Sequence, residues 1–226
     1  MIDDLVAEDL DSLSAGDVTQ TVKVLVIGNG HVGKTTYVRR FCTDNYNGDY
    51  KKTIGCDFSE RRQFLLPSYG NKRVDVMVWD TAGQEEYRSL NHKYYDGAGC
   101  ALLLFSITDK NSFLELPRWK NKVLELCGEV PMAIVQTKMD ASDHAAITLE
   151  EVKECATKLK LRLFRISSMN GININEPFEY VAVNSLRGGG GNSAQQVTHI
   201  SSLKKASDIN GTAQSVSLQS GGDSTG

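Results

Sequence analysis

The run Gly28-Asn29-Gly30-His31-Val32-Gly33-Lys34-Thr35 has the residue types of a loop that grips phosphate. It follows a run of six residues at 22–27 that reads as a buried strand, and an amphipathic stretch at 35–42 follows it. A tight turn that leaves a strand and enters a helix aims several backbone N–H groups at one point. The positive end of the helix dipole favours negative charge at that same point. In such a loop Lys34 reaches the outer phosphates and the Thr35 hydroxyl sits on a magnesium ion. A Cβ at Gly28 or Gly33 would block the positive-φ turns or the backbone's approach to phosphate oxygens. His31 reads as an exposed spacer whose backbone matters, rather than as a catalytic base. The pattern predicts a nucleoside triphosphate as ligand.

Two later segments refine the chemistry. Asp80-Thr81-Ala82-Gly83-Gln84-Glu85 ends a strand-like run at 74–79. A carboxylate there can hold a magnesium-bound water, and Gly83 offers a hinge where a γ-phosphate would be sensed. Alone, the segment would equally suit a capped turn between strand and helix. Thr137-Lys138-Met139-Asp140 follows the apolar run 132–135. Guanine presents N1–H and a 2-amino group on one edge, and an ionised Asp140 can accept both; adenine has no 2-amino donor and an acceptor at N1. A site built to hydrogen-bond such a group rejects an analogue lacking it by about 10⁴–10⁵. The Lys138 stem would lie along the flat base and shield it from water.

In this order and spacing the three segments resemble a small GTPase of the Ras superfamily, and specifically a Rab. The specific signals are Ile54-Gly55-Cys56-Asp57-Phe58, Trp79-Asp80-Thr81-Ala82-Gly83-Gln84-Glu85 and Tyr94-Tyr95-Asp96-Gly97-Ala98, and the likeness runs from Thr21 to Leu186. Asp49-Tyr50-Lys51-Lys52-Thr53-Ile54-Gly55 and Leu159-Lys160-Leu161-Arg162 are most similar to the Rab subfamily associated with primary cilia and Hedgehog signalling. The resemblance implies an α/β fold, a P-loop small G domain whose mostly parallel six-stranded sheet has one antiparallel strand and helices on both faces. It implies GTP and GDP as ligands with Mg2+ as cofactor, the metal held by Thr35, Thr53 and Asp80. It places Gly28, Gly30, His31, Val32, Gly33, Lys34, Thr35 and Thr36 around the phosphates, with Tyr46 packed on the guanine. Thr137, Lys138 and Asp140 meet the base, as does the segment Ser167-Ser168-Met169, whose Ser168 N–H would reach guanine O6. Gln84 would orient the attacking water, Gly30 would leave room for it, and Lys34 and Thr53 would act on the γ-phosphate, with Gly83 beside it. Phe58, Trp79 and Tyr94 match an aromatic triad that reports nucleotide state to effectors, and they also suit ordinary core positions. Three departures stand out. Thr137 replaces the usual Asn and loses an amide that braces loop and base, Ser168-Met169 replaces Ala-Lys, and Asp96 stands where Rabs usually have Arg.

The elements that must position these groups are legible in outline. With 226 residues and 40% apolar content the chain can bury a sizeable core. Residues 1–21 carry Asp3, Asp4, Glu8, Asp9, Asp11 and Asp17 and no basic residue, which favours a solvated arm. Residues 187–226 are rich in Gly and Ser and lack aromatics, which predicts a disordered tail and leaves one domain at 22–186. Strand and helix patterns alternate through that domain, so the sheet should be mostly parallel and covered on both faces. One reversal is expected. The strand at 57–66 reaches Val74 through Pro67-Ser68-Tyr69-Gly70-Asn71-Lys72, too short for a helical crossover, so these strands should pair antiparallel. The apolar run 100–107 reads as a central strand, Thr148 with Glu151 as a capping box, and Gly128 as a helix stop. The motifs then fall on loops at the carboxyl ends of strands, where open α/β sheets bind ligands.

Composition excludes several classes. Cys42, Cys56, Cys100, Cys127 and Cys155 are scattered without paired spacing, which suits a reducing compartment, and no Cys/His metal cluster is visible. No signal peptide or membrane-length apolar run is evident. A net charge of −3 without a basic stripe argues against nucleic acid. The last cysteine is Cys155 and residue 2 is Ile, so no lipid anchor is expected and membrane contact would come through partners. The leading expectation is a monomeric, cytoplasmic GTP-hydrolysing switch in vesicle or ciliary transport, associated with endomembranes or a cilium through partners. Its partners would be effectors, exchange factors and an activating protein that supplies an arginine for rapid hydrolysis. The alternative is a lipid-free Rab-like subunit that holds GTP structurally within a transport complex. An ATP-using P-loop kinase would require Asp140 to be incidental.

Overall fold

The structure, a computed structural model, describes residues 20–46, 58–80 and 92–188. Its centre is a sheet of six strands in the order β2-β3-β1-β4-β5-β6. These are β1 (Gln20–Gly28), β2 (Phe58–Leu66), β3 (Lys72–Asp80), β4 (Cys100–Ser106), β5 (Met132–Thr137) and β6 (Arg162–Arg165). Only β2 and β3 pair antiparallel, with Leu66 opposite Lys72 across the turn at Pro67–Tyr69. The reversal expected from the short connection is present, and all other strand neighbours are parallel.

Alternate residues of the central strands face opposite layers, as the two-residue strand period requires. Val22, Val24 and Val26 of β1 join Leu102 and Leu104 of β4 in one buried cluster. That face is covered by α1 (Lys34–Thr43) through Tyr37, Val38 and Phe41, and by α6 (Glu176–Arg187) through Phe178, Val181 and Ala182. Phe178 stacks on Phe41 with centroids 3.8 Å apart and on Tyr37 at 5.1 Å, and the Tyr37 hydroxyl donates to the Ile174 carbonyl. Leu25 and Ile27 point the other way, into a cluster with Leu103, Phe105 and Ile134. There the cover is α4 (Leu116–Cys127), whose Leu116, Trp119 and Val123 recur at helical spacing, and α5 (Leu149–Leu159), with α2 (His92–Tyr95) and α3 (Lys110–Leu114) at the margin.

Local chemistry sets the helix ends. Thr148 accepts from the Glu151 N–H while the Glu151 carboxylate accepts from the Thr148 N–H, the reciprocal pair expected from the sequence. Gly128 stops α4 with φ 74°. Asp109 caps α3 by accepting from the N–H groups of Asn111 and Ser112. Pro117 sits in the first turn of α4, where its missing N–H leaves no helical bond unmade. β1 begins at Gln20 and α6 ends at Arg187, slightly beyond the 22–186 expected; the rest of the two terminal segments lies outside the described residues.

Candidate functional site

Strand register brings the three motifs together at the carboxyl end of the sheet. β1 is flanked by β3 and β4, so Asp80 lies beside Val26 and Gly28 beside Leu104. β5 ends at Thr137, beside Ser106 of β4, and delivers the turn Met139–His144 that carries Asp140.

The loop from β1 to α1 needs unusual backbone. Gly28 has φ 148°, and a Cβ there would lie 2.2 Å from the Leu104 carbonyl oxygen. Gly33 has φ 94° with open space around it, so the backbone rather than crowding demands glycine. His31 is exposed and also left-handed, with φ 62°. Gly33 is the N-cap of α1, and no side chain caps that helix, so the N–H groups of its first turn face a position that suits an anion. The Lys34 ammonium is 2.7 Å from the Asn29 carbonyl oxygen and 3.0 Å from that of Gly28. Burial lowers its pKa to about 8, and the negative charge of Asp80 pulls it partly back up. The Thr35 hydroxyl donates to Asp80 Oδ2, which joins the first motif to the second.

The third motif bonds to the first as well. The Thr137 hydroxyl, buried, points at the carbonyl oxygens of Val32 at 2.7 Å and Phe105 at 3.0 Å. The loss of bracing expected from the Asn-to-Thr departure is therefore partial, because one hydroxyl hydrogen shared between two acceptors still ties β5 to the phosphate loop. Lys138, left-handed at φ 60°, donates from Nζ to the His31 carbonyl at 2.9 Å. Asp140 Oδ1 accepts from Ser167 Oγ at 2.5 Å, and Ser167 Oγ accepts from the Asn170 N–H at 3.0 Å. That fixes one carboxylate oxygen, and Asp140 lines a cleft together with Val32, Gly33, Thr36, Lys138, Ser168 and Met169. Tyr46 also lines it. Tyr46 is 43% exposed and Met169 52%, so two large apolar side chains stand in solvent beside the cleft where a flat ring could cover them.

Thr53, Gly83 and Gln84 lie outside the described residues. Of the aromatic triad, Trp79 and Tyr94 are half-buried neighbours with centroids 5.8 Å apart, and the Lys23 ammonium sits 4.1 Å from the Trp79 ring centroid. Lys23 Nζ also donates to the Asp96 carbonyl at 2.5 Å. One contact had no signal in the sequence. The Trp119 indole N–H, from α4, donates to Asn29 Oδ1 at 2.7 Å. Among the described residues no cluster of His, Cys, Asp and Glu suits a dedicated metal cage, and no helix is long and apolar enough to cross a membrane.

Residues 23–187 match the Ras family. Ras-related protein Rab-3 of Caenorhabditis elegans is 34% identical over 158 residues, 70% of this chain and 70% of that protein. The Ypt/Rab-type GTPase YPT7 of Saccharomyces cerevisiae is 34% identical over 173 residues, 74% of this chain and 82% of its own length. The chain is a Rab-type small GTPase. Ras-related protein Rab-13 of Rattus norvegicus shows the same 34% identity over 170 residues, 75% of this chain and 82% of that one. As a Rab-type GTPase the protein binds GTP and GDP, hydrolyses GTP and acts as a switch in vesicle trafficking. Members of this family work with effectors, exchange factors and activating proteins.

Proposed function

We propose that residues 28–36 cradle the phosphates of GTP and that Asp140, with Lys138, Ser168, Met169 and Tyr46 around it, selects and covers the guanine. The observation that carries this reading is the bonding of the base motif to the phosphate motif: Thr137 and Lys138 hold the carbonyls of Val32 and His31. Loop and base pocket therefore form one rigid unit across the carboxyl end of the sheet. Lys34, buried and still charged below pH 8, supplies positive charge at the floor of the loop. The first-turn N–H groups of α1 add oriented dipoles that need no reorganisation when charge develops on the phosphates.

A magnesium ion fits the donors present, since the Thr35 hydroxyl and the Asp80 carboxylate are hard oxygen ligands already in contact. Bound there with Thr53, it would neutralise charge on the outer phosphates. Thr53 and Gln84 lie in the two segments read as nucleotide-sensing switches, with Gly83 the hinge of the second and Gln84 orienting the attacking water past Gly30. The half-buried pair Trp79 and Tyr94, next to the second switch, offers a surface through which its state can be read. The finer reading is a monomeric switch on cytoplasmic faces of endomembranes or in a cilium or flagellum, supported by the likeness of residues 49–55 and 159–162 to the ciliary Rab subfamily. Gln84→Leu should lower single-turnover GTP hydrolysis at least about tenfold, since water positioning is a general-catalysis term of this size or larger. A variant that hydrolyses GTP as fast as wild type, with and without an activating protein, refutes the assignment.

A further inference from the structure

The phosphate loop is anchored to the body of the domain at both limbs, and the two anchors differ in kind. The limb nearer α1 is held by Thr137 and Lys138, which belong to the base-binding segment. The limb leaving β1 is held by the side chain of Asn29, whose Oδ1 accepts from the Trp119 indole N–H at 2.7 Å. The main chain of Asn29 has its own task, because its carbonyl oxygen lies 2.7 Å from the Lys34 ammonium. Trp119 is 7% exposed, so this hydrogen bond competes little with water.

A buried indole N–H takes some partner in any core, and a backbone carbonyl would serve. Here the partner is the side chain next to Gly30, in the loop that meets the triphosphate. Trp119 also lies in one buried cluster with Tyr95 of α2, and the Lys122 ammonium spans the two rings at 5.4 and 5.5 Å from their centroids. The helix that carries Trp119 thus touches the phosphate loop and the chain immediately after the segment bearing Gln84.

We propose that Trp119 is a positioning residue for GTP hydrolysis: through Asn29 it holds the Gly30 limb and the Lys34 ammonium in register, and it couples that limb to the α2–α4 face. The inference rests on the reading of residues 28–36 as the triphosphate cradle. The base segment bonds to the opposite limb, so Trp119 acts at the phosphate end of the site and its loss is read in the chemical step.

The test is a double-mutant cycle with Trp119→Phe, which keeps most of the ring and removes the donor, and Asn29→Ala, which removes the acceptor. Single-turnover hydrolysis should fall about three- to tenfold in either variant, the worth of one neutral hydrogen bond, and in Trp119→Phe GDP affinity should stay within about threefold of wild type. The double variant should be no slower than the worse single one, because the two residues act through one contact. The indole resonance of Trp119, one of two tryptophans in the chain, should shift between the GDP form and a non-hydrolysable GTP form, and Asn29→Ala should abolish the shift. Asn29 is a partly exposed loop position, so hydrolysis by Asn29→Ala and its effect on the indole resonance carry the test if Trp119→Phe is poorly folded. Wild-type hydrolysis in both single variants, effects that multiply in the double variant, or an indole signal indifferent to nucleotide each overturn the proposal. A wild type that turns over GTP beside uncoupled variants overturns this inference alone. A wild type that does not bind GTP overturns the cradle reading and this inference with it.

Discussion

Replacing Thr137 with valine removes one buried hydroxyl at nearly constant volume, so it isolates the bond between the base segment and the phosphate loop. Thr137 is 3% exposed, and its hydroxyl is shared by the carbonyl oxygens of Val32 and Phe105 at 2.7 and 3.0 Å. Valine fits the space but leaves the Val32 carbonyl without that donor, and a buried acceptor stripped of its partner costs about 1–3 kcal/mol. Val32 lines the cleft proposed to hold the nucleotide, so the loss should fall on bound nucleotide more than on the fold. If all of it appears in the dissociation barrier, GDP release accelerates about five- to 150-fold, at 1.36 kcal/mol per tenfold. The assay is release of a fluorescent GDP chased by excess GTP, with thermal unfolding of the same samples as control. Thr137→Asn keeps a donor at this position and should release GDP within about threefold of wild type. A valine variant that releases GDP at the wild-type rate, with an unchanged melting temperature, would show that the hydroxyl braces nothing.

Two further outcomes follow from the same geometry. Gly28→Ala sets a Cβ 2.2 Å from the Leu104 carbonyl oxygen at a φ of 148°. Backbone must move, so stability should fall by about 2–4 kcal/mol, measured by urea unfolding; an unchanged midpoint contradicts the tight approach of β1 to β4. The second concerns pH. The Lys34 ammonium in the empty site titrates at about 8, below its ordinary 10.5, because it is buried. A bound triphosphate favours the charged form and raises that pKa, so binding takes up a proton wherever the empty site has lost it. Affinity for GTP should be flat below pH 8 and then fall by up to about tenfold per pH unit above it. Titration calorimetry in two buffers of different ionisation enthalpy measures the proton uptake, and none at pH 9 would refute the cause assigned.

The parts legible in the sequence are those that depend on local pattern. The almost wholly apolar run of β4 announced a strand buried on both sides, and the five-residue connection between Leu66 and Lys72 was too short for anything but a hairpin. Thr148 and Glu151 signalled a helix start because both halves of the capping box lie within one turn. What stayed hidden depends on single atoms meeting across long stretches of chain. Thr137 reads in sequence as the loss of an amide, and only the register of β5 against β4 shows its hydroxyl reaching Val32, 105 positions away. Trp119 reads as a core aromatic at helical spacing, and nothing in its neighbours points to Asn29, 90 positions distant. The break between α3 and α4 has one local mark, Pro117 in the first turn of α4, where a new helix starts most easily.

The central claim is that the Asp140 carboxylate, held by Ser167, reads a guanine whose phosphates lie in the loop at 28–36. It is tested most directly by competing GTP and ATP against a fluorescent GDP on the magnesium-loaded protein and on Asp140→Ala. The account predicts a preference for GTP of about 10⁴-fold or more in wild type, largely erased in the variant. ATP displacing the probe from wild type as well as GTP does would contradict it.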